Sequence, residues 1–215
     1  MTAEPLRRPL VWVDLEMSGL DPDHDVILEA AVLITDGSLE RVIEGPDLVL
    51  AAPEEALEGM VDVVAEMHAT SGLTEAVRAS TVRMDDAEEQ LLAFVAEHVP
   101  EARTAPLAGN SVHADRAFLR RYMPAFESHL HYRNVDVSTL KELCKRWRPD
   151  VLESSAPKAG GHRAMADIRE SLEELRIYRD ALFLPPDDAA GATDGPLGDT
   201  ARDGGAEPAG EGSPS

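Results

Sequence analysis

Two acidic residues, Asp14 and Glu16, lie two positions apart in the most strand-like segment near the start of the chain. Side chains on a strand alternate between two faces, so both carboxylates are expected on one face, with Val11, Val13 and Leu15 on the other. Neighbouring carboxylates repel each other, and either a shared proton or a bound cation relieves that repulsion. Because Mg²⁺ and Mn²⁺ prefer oxygen ligands, the pair predicts a divalent-metal site, although such pairs are also common on solvated strands.

Two later segments carry acids near the start of a predicted helix. Asp115 follows the sequence GNS at 109–111, and Asp167 follows His162 by five positions. The carboxyl ends of strands and the starts of the following helices tend to converge into ligand crevices. Each acid alone has a structural explanation, since it interacts favourably with a helix dipole, and a single histidine is usually structural. Four acids and a histidine in this order predict one shared site.

The composition favours a single intracellular domain. The chain has 215 residues, of which 43% are hydrophobic, and this length suffices for one well-formed core. We expect neither a secretory leader nor a membrane span, because no apolar run approaches the ~20 residues that cross a bilayer. Cys144 is the single cysteine, so no disulfide can form within the chain, which favours a reducing cytoplasmic location. We expect Cys144 to be a buried structural thiol.

The formal net charge is −21, and a part of it belongs to residues 185–215. This segment is rich in Pro, Gly, Ala and Ser, with seven acidic side chains against Arg202 alone, and is predicted to be disordered. We therefore divide the chain into a lead-in (1–9), a folded domain (10–184) and an acidic tail (185–215). The folded part remains acidic, which opposes electrostatic capture of a long nucleic acid. A nucleic-acid substrate should therefore be short.

The elements expected to position these acids are a strand meander followed by helices that alternate with strands. Asp36-Gly37 separates two β-branched runs and is a strong hairpin signal. The predicted strands are 10–17, 26–35, 39–50, 106–109 and 133–137. The predicted helices are 53–67, 73–79, 113–123, 163–182, one that begins with a capping box at Asp85-x-x-Glu88, and one that ends near Trp147. The capping-box helix has an apolar stripe of Leu91, Leu92, Val95 and Val99. The helix over 163–182 is expected to bury Met165, Ile168, Leu172 and Leu175. Together they predict an α/β domain whose last strands run parallel to the first.

The motifs resemble those of the oligoribonucleases, members of the DEDD exonuclease superfamily with a histidine in the third motif. The matching segments are VDLEMSGLDP at 13–22, GNSVHADRAFL at 109–119, HYRNVDVSTLKEL at 131–143 and HRAMAD at 162–167. The resemblance extends over residues 10–182. It implies a ribonuclease-H-like fold, with a mixed sheet of a three-stranded antiparallel meander plus parallel strands flanked by helices.

The resemblance also implies an activity and its catalytic residues. Asp14, Glu16, Asp115 and Asp167 would hold two divalent ions, Mg²⁺ or Mn²⁺, and His162 would be the general base. Two metal ions ~4 Å apart can stabilise the attacking and leaving oxygens of an in-line displacement at phosphorus. Histidine suits proton abstraction near neutral pH. The expected reaction is 3′-to-5′ hydrolysis of very short RNA, of dinucleotide scale, to nucleoside 5′-monophosphates.

The resemblance further implies a closed site for the 5′ end of a short RNA. Leu20 resembles a leucine that wedges between two bases, and His68 matches a residue near the substrate, with a surface histidine as the alternative. A group that caps the 5′-phosphate is matched by Ser111, Arg133, Ser138 and Thr139, with Tyr132 supplied by the other subunit of a homodimer. Arginine can bind phosphate through two parallel hydrogen bonds, and hydroxyl groups add donors. Such a pocket would exclude longer chains.

The sequence departs from the family pattern at two positions. Val63 stands where some relatives have a stacking tryptophan, and stacking on an aromatic ring is worth ~1–3 kcal/mol per base. Ala166 stands where relatives often have a second acid, which is not one of the four ligands. Three alternatives stay open, namely a DNA 3′-exonuclease or proofreading subunit with the same metals, a catalytically silent oligonucleotide binder, and an added interaction role for the acidic tail.

Overall fold

The central strand of the sheet carries the first acidic motif. A computed structural model of the chain describes residues 5–153 and 162–183, and every structural statement below concerns these residues. The Gly160-Gly161 pair and the predicted acidic tail lie outside them. The strands are β1 (Leu10–Met17), β2 (Ile27–Thr35), β3 (Val42–Val49), β4 (Pro106–Gly109) and β5 (His131–Asp136). Their order across the sheet is β3-β2-β1-β4-β5.

The sheet is mixed, as the sequence predicts. Strands β1, β2 and β3 form an antiparallel meander, whereas β4 runs parallel to β1 and β5 runs parallel to β4. The pairing of β4 with β5 is irregular, since Pro106 faces His131 and Leu107 faces Asn134. Two additional residues of β5 therefore lie between successive positions of β4, which makes a bulge at the sheet edge.

Helices cover both faces of the sheet. They are α1 (Glu54–Glu58), α2 (Asp62–Thr70), α3 (Leu73–Ala79), α4 (Met84–His98), α5 (His113–Tyr122), α6 (Pro124–His129), α7 (Val137–Trp147), α8 (Pro149–Glu153) and α9 (Ala164–Leu182). All of the predicted apolar positions of α9 are buried. No helix among the described residues is both long enough and apolar enough to cross a membrane.

Three details of the helix prediction are wrong. The helix predicted over 53–67 is two helices, because the chain leaves the helical path between Gly59 and Val61. The N-cap of α4 is Arg83 rather than Asp85, so Asp85 lies inside the first turn and the capping box does not form. The short helices α6 and α8 were not predicted, although each begins at a proline, which is a favoured first helical residue.

The alternation along β1 divides the core between the two faces of the sheet. Val11, Val13 and Leu15 pack into an apolar cluster with α4, α5 and α6. Trp12 faces the opposite cluster, which contains the buried Cys144 and the apolar side of α9. Asp14 and Glu16 continue the Trp12 face, so the strand directs both carboxylates toward α9.

The two tryptophans of the chain have opposite environments. The Trp12 side chain is fully buried, and its Nε1 donates a hydrogen bond of 3.0 Å to Thr35 Oγ1. Trp147 is 70% exposed at the end of α7. The first is therefore part of the sheet core beneath the acidic motif, whereas the second lies at the surface.

Candidate active site

Three of the predicted acids converge at one end of β1. Asp14 and Glu16 lie on that strand, Asp167 lies in the first turn of α9, and oxygen atoms of the three carboxylates lie within 4.8 Å of one another. Glu16 is nearly buried, at 8% exposure. An all-carboxylate group of this spacing suits a hard divalent cation such as Mg²⁺ or Mn²⁺. The donor set therefore fits the predicted metal site.

The electrostatics of Glu16 reflect this crowding. Burial, followed by the charge of Asp167, raises the pKa of Glu16 from 4.5 to about 7. Glu29, its cross-strand partner on β2, and Asp115 add smaller effects of the same sign, while Arg163 opposes them. A bound cation would reverse this balance, because it favours the ionised form of every carboxylate around it.

The fourth predicted acid, Asp115, has a different arrangement. It is 6% exposed in the first turn of α5, and its Oδ1 accepts a hydrogen bond of 3.0 Å from the backbone N–H of Leu15. Burial raises the pKa of Asp115 to about 7, although the Leu15 hydrogen bond acts in the opposite direction. Asp115 therefore lies against the strand between Asp14 and Glu16 but outside the group of three mutually close carboxylates.

The third motif is anchored by a buried ion pair. The Arg163 guanidinium binds the Glu29 carboxylate through both oxygens, with Nε–Oε2 at 3.0 Å and Nη2–Oε1 at 2.7 Å, and Glu29 is fully buried. Glu29 also accepts a hydrogen bond from the backbone N–H of Ala164, the first residue of α9. His162 is exposed and has a left-handed backbone, with φ of 42°. The pair thus fixes the start of α9, two residues after His162.

The burial of His68 excludes one of the two interpretations that its sequence position allowed. It is fully buried on α2, so the surface histidine weighed as its alternative is wrong. Its Nε2 lies 2.9 Å from the carbonyl oxygen of Met17, and its Nδ1 lies 3.9 Å from Glu16 Oε2. His68 Nδ1 has no hydrogen-bond partner among the described residues. The histidine therefore joins α2 to the end of β1 beside the acidic group.

The predicted phosphate-capping hydroxyls meet at the starts of α5 and α7. Ser111 Oγ and Ser138 Oγ are 3.1 Å apart. Asp136 brings them together, because its Oδ1 accepts hydrogen bonds of 3.0 Å from both the Ser111 and the Ser138 backbone N–H groups. Asp136 is not among the predicted site residues, although an Asp two residues before Ser138 is a favoured helix N-cap, and it caps α7 here.

Asn110 connects this hydroxyl pair to α9. Its Oδ1 accepts a hydrogen bond of 2.9 Å from Ser138 Oγ, and its Nδ2 donates one of 2.8 Å to Ser171 Oγ. Ser171 Oγ in turn donates to the backbone carbonyl of Asp167 at 2.8 Å. A continuous hydrogen-bond chain therefore links the predicted phosphate site to the backbone of a predicted metal ligand.

The other predicted substrate residues are exposed. Arg133 lies on β5 with its guanidinium over the Tyr132 ring, 5.2 Å from the centroid, and Tyr132 is 63% exposed. Thr139 is exposed in the first turn of α7, and Leu20 is 80% exposed in the turn after β1. Val63, which stands where a stacking tryptophan was considered, is 72% exposed on α2.

The chain is similar to known exonucleases. The Exonuclease family model (RNase_T) matches residues 11–175. The oligoribonuclease of Mycobacterium ulcerans is 52% identical over 180 residues, which cover 84% of each chain. A bovine protein named mitochondrial oligoribonuclease is 51% identical over 180 residues, covering 84% of this chain and 76% of its own.

Solved structures share the fold at much lower sequence identity. An exonuclease I from Methylocaldum szegediense aligns with 81% of this chain at a TM-score of 0.61 and 18% identity. The zinc-bound complex of Escherichia coli exonuclease I with single-stranded DNA aligns with 82% at a TM-score of 0.64 and 13% identity. The present chain spans about 41% of the length of each of these structures. At these identities the likeness concerns the fold alone.

Proposed function

The chain belongs to the oligoribonuclease family of exonucleases, and from that membership we propose that it hydrolyses very short RNA by metal-dependent catalysis with His162 as general base. A nuclease of the 3′-to-5′ exoribonuclease type follows from the family itself. The short-substrate limit, the use of two metal ions and the roles of individual residues are our proposals. The observation that carries metal-dependent catalysis is the convergence of Asp14, Glu16 and Asp167 within 4.8 Å.

In the proposed reaction, water attacks the phosphorus atom of the 3′-terminal phosphodiester. A new P–O bond forms as the bond from phosphorus to the 3′-oxygen of the preceding nucleotide breaks. His162 takes the proton of the attacking water, and the departing 3′-oxygen gains a proton, so the products are a nucleoside 5′-monophosphate and a shortened RNA. Two bound divalent ions would supply the positive charge that stabilises the attacking and leaving oxygens.

The carboxylates and the histidine have separate tasks in this scheme. Asp14, Glu16 and Asp167 would hold the cations, and Asp115 would complete the set from its place beside Leu15. His162 is exposed at the start of the third motif, and it would take the proton of the attacking water. Buried His68 would support Glu16 rather than contact solvent, and exposed Leu20 would stack against the bases of the substrate.

The limit to short RNA rests on the hydroxyl pair at Ser111 and Ser138. With Thr139 and Arg133, these groups offer hydroxyl and guanidinium donors to a terminal 5′-phosphate. A 5′ end that is bound in this way leaves no path for additional nucleotides. The net charge of −21 supports the same limit, because a long phosphate backbone would find little positive charge along the surface.

Assembly and location are further parts of the proposal. A homodimer would place Tyr132 of one subunit near the substrate of the other, and the 63% exposure of Tyr132 suits such a contact. We propose a cytoplasmic location, because the single cysteine cannot form an internal disulfide. Short RNA oligonucleotides are the expected substrates.

The decisive assay compares a 5′-phosphorylated RNA dinucleotide with a ten-nucleotide RNA, each with Mn²⁺ and with chelator. We expect rapid, metal-dependent hydrolysis of the dinucleotide and much slower hydrolysis of the longer RNA. Equal rates on both would retain the metal site but contradict the capped 5′ site. Absence of cleavage would favour a catalytically silent binder. Binding of the dinucleotide to the Asp14→Ala variant with the affinity of the wild-type protein would then support that function.

The same assay includes a long single-stranded DNA, because the solved neighbours include exonuclease I bound to single-stranded DNA. We expect the dinucleotide to be the better substrate, since relatives at 52% identity are oligoribonucleases whereas those neighbours share only the fold. A higher rate on the long DNA would instead assign the protein to DNA 3′-exonucleases.

A further inference from the structure

Arg116 is a buried cation directed at the first half of β5. It is 5% exposed, and its Nη2 donates a hydrogen bond of 2.7 Å to the carbonyl of His131. Its Nη1 donates hydrogen bonds to the Tyr132 carbonyl at 3.1 Å and to Asn134 Oδ1. The same Nη1 lies 3.4 Å from the Arg133 carbonyl oxygen. One guanidinium therefore reaches the backbone of three consecutive residues.

The segment of β5 that Arg116 contacts is irregular. It lies at the edge of the described sheet, and the bulge opposite Pro106 and Leu107 falls within it. Bulges redirect side chains at sheet edges, and here the bulge contains Tyr132 and Arg133, two of the proposed substrate residues. The Arg116 hydrogen bonds to their carbonyl groups therefore define the direction in which these side chains leave the strand.

The charge of Arg116 is balanced within the core. Its Nε lies 2.8 Å from Glu127 Oε1 on α6, and the Glu127 side chain is 18% exposed. A nearly buried arginine with a carboxylate partner is held in one orientation, because both groups would lose their partners if it rotated. Lysine could not replace it, since a single ammonium cannot span carbonyl groups that a planar guanidinium reaches with separate nitrogens.

Arg116 also directly follows Asp115 on α5. Asp115 contacts the backbone of β1 at Leu15, between two proposed metal ligands, while Arg116 contacts β5 on the other side of β4. A single turn of a rigid helix thus touches both the strand of the metal site and the strand of the phosphate site. Groups that are held by one rigid element keep a fixed spacing.

We propose that Arg116 is a positioning residue that sets the β5 bulge, so that Arg133 meets the 5′ end of the substrate at a fixed distance from the metal site. The proposal rests on the proposed function, because it assigns Arg116 to the recognition of the 5′-phosphate. Arg116 itself contacts neither substrate nor metal in this scheme.

The test compares Arg116→Lys with Arg120→Lys in the full-length chain. Arg120 lies on the same helix and contacts the same Glu127 oxygen at 3.2 Å, but it is 64% exposed and none of its hydrogen bonds reaches β5 in the described structure. The readout is the ratio of kcat/KM for a 5′-phosphorylated dinucleotide to that for its 5′-hydroxyl counterpart, with KM and kcat recorded separately.

We expect Arg116→Lys to lower this ratio by about tenfold or more, through KM, because a displaced Arg133 loses its charge-assisted hydrogen bonds to the 5′-phosphate. Arg120→Lys should leave it within about twofold. A folded Arg116→Lys enzyme with the wild-type ratio would overturn the inference while leaving the proposed function intact. A wild-type enzyme that is active but indifferent to the 5′-phosphate would overturn the proposed phosphate site and the inference with it.

A second variant covers the case in which Arg116→Lys does not fold. Asn134→Ala removes one Arg116 acceptor from an exposed side chain, so the fold should survive. It should lower the phosphate ratio in the same direction by a smaller factor, about threefold. An unchanged ratio in this variant would count against Arg116 as the residue that positions β5.

Discussion

Asp115 Oδ1 accepts a hydrogen bond from the backbone N–H of Leu15, 3.0 Å away and 100 positions earlier in the chain. Because Leu15 lies between Asp14 and Glu16, this bond holds the second motif directly against the first. The fourth acid is thus bound to the backbone of β1, whereas the other three converge with one another. The first motif would take its metal-binding geometry from β1 and α5 together.

Asp167→Asn should remove a proposed metal ligand with little change in shape. A metal site supplies several kcal/mol of transition-state stabilisation, so kcat should fall by roughly 10²-fold or more. Mn²⁺ titration followed by calorimetry should show weaker binding. Asp180→Asn is the matched control, since Asp180 lies on the same helix, is 69% exposed and pairs with Arg179. Full activity in the Asp167→Asn enzyme would exclude Asp167 as a ligand.

The stability of the metal-free protein should fall as pH rises toward neutrality. The pKa values of Glu16 and Asp115 are raised from 4.5 and 3.8 to about 7, so both carboxyls bind protons more tightly in the folded state than in the unfolded chain. Their contribution is therefore fully present below about pH 4 and is lost as pH rises through about 7. Urea unfolding in chelator between pH 5 and pH 8 measures this loss.

Added Mn²⁺ should restore that stability at pH 8, because a ligand that binds only the folded state stabilises it. Glu16→Gln should flatten the pH dependence. A metal-free protein that becomes more stable from pH 5 to pH 8 would contradict the assigned shifts.

His162→Asn should lower kcat without weakening metal binding. A positioned general base typically raises the rate by about 10²–10⁴-fold. Metal binding should persist, because His162 does not belong to the candidate metal group of Asp14, Glu16 and Asp167. Asparagine is chosen because it tolerates the left-handed backbone of residue 162. Exogenous imidazole should partly restore the rate of His162→Gly, because glycine has no side chain and leaves room for it. A His162→Asn enzyme with wild-type kcat would rule out this base.

Val63→Trp should improve dinucleotide binding. Val63 is 72% exposed on α2, and an added stacking surface is worth ~1–3 kcal/mol per base, so KM should fall by about fivefold or more. Val61→Trp, at a 63% exposed position directly before α2, tests whether any surface tryptophan has this effect. Equal KM changes in both variants would show that the contact is not specific to residue 63.

Arg163→Ala should destabilise the fold by about 2–4 kcal/mol, because it leaves the carboxylate of Glu29 buried without its guanidinium. The effect lies somewhat below that of a fully buried pair, since the Arg163 side chain is 39% exposed. Arg169→Ala removes a similar two-point contact to Glu44, which is 50% exposed, and should cost under about 1 kcal/mol. Similar losses from both variants, measured by denaturant unfolding, would show that burial of Glu29 is not decisive.

The main elements were predictable because their apolar periodicity is strong. The β1 alternation, the pairing of β2 with β3 and the apolar face of α9 appear as expected, although β3 begins at Val42 rather than at Leu39, so the connection spans residues 36–41. The short helices α6 and α8 span six and five residues, too few to show a helical period. The break at Gly59 was missed because Glu- and Ala-rich composition favours helix on both sides of it.

Within the candidate site, residue types were predictable but burial was not. The order and spacing of the acids predicted that carboxylates would converge. The hydrogen bond from the Leu15 backbone to Asp115, in contrast, depends on how α5 approaches β1. Arg116 reads in the sequence as an ordinary surface cation, because arginines are rarely buried without partners. Only the fold brings Glu127 and three β5 carbonyl groups around it.

Because the two tryptophans have contrasting surroundings, tryptophan fluorescence can serve as a probe of the acidic group. Indole emission shifts to shorter wavelength in an apolar environment, so the fluorescence of buried Trp12 and exposed Trp147 can be separated with a water-soluble quencher. Trp12 lies two residues before Asp14 on the same face of β1, so the unquenched signal originates beside the carboxylates. Binding of the proposed cations should therefore change the Trp12 signal of the unlabelled protein, independently of any hydrolysis.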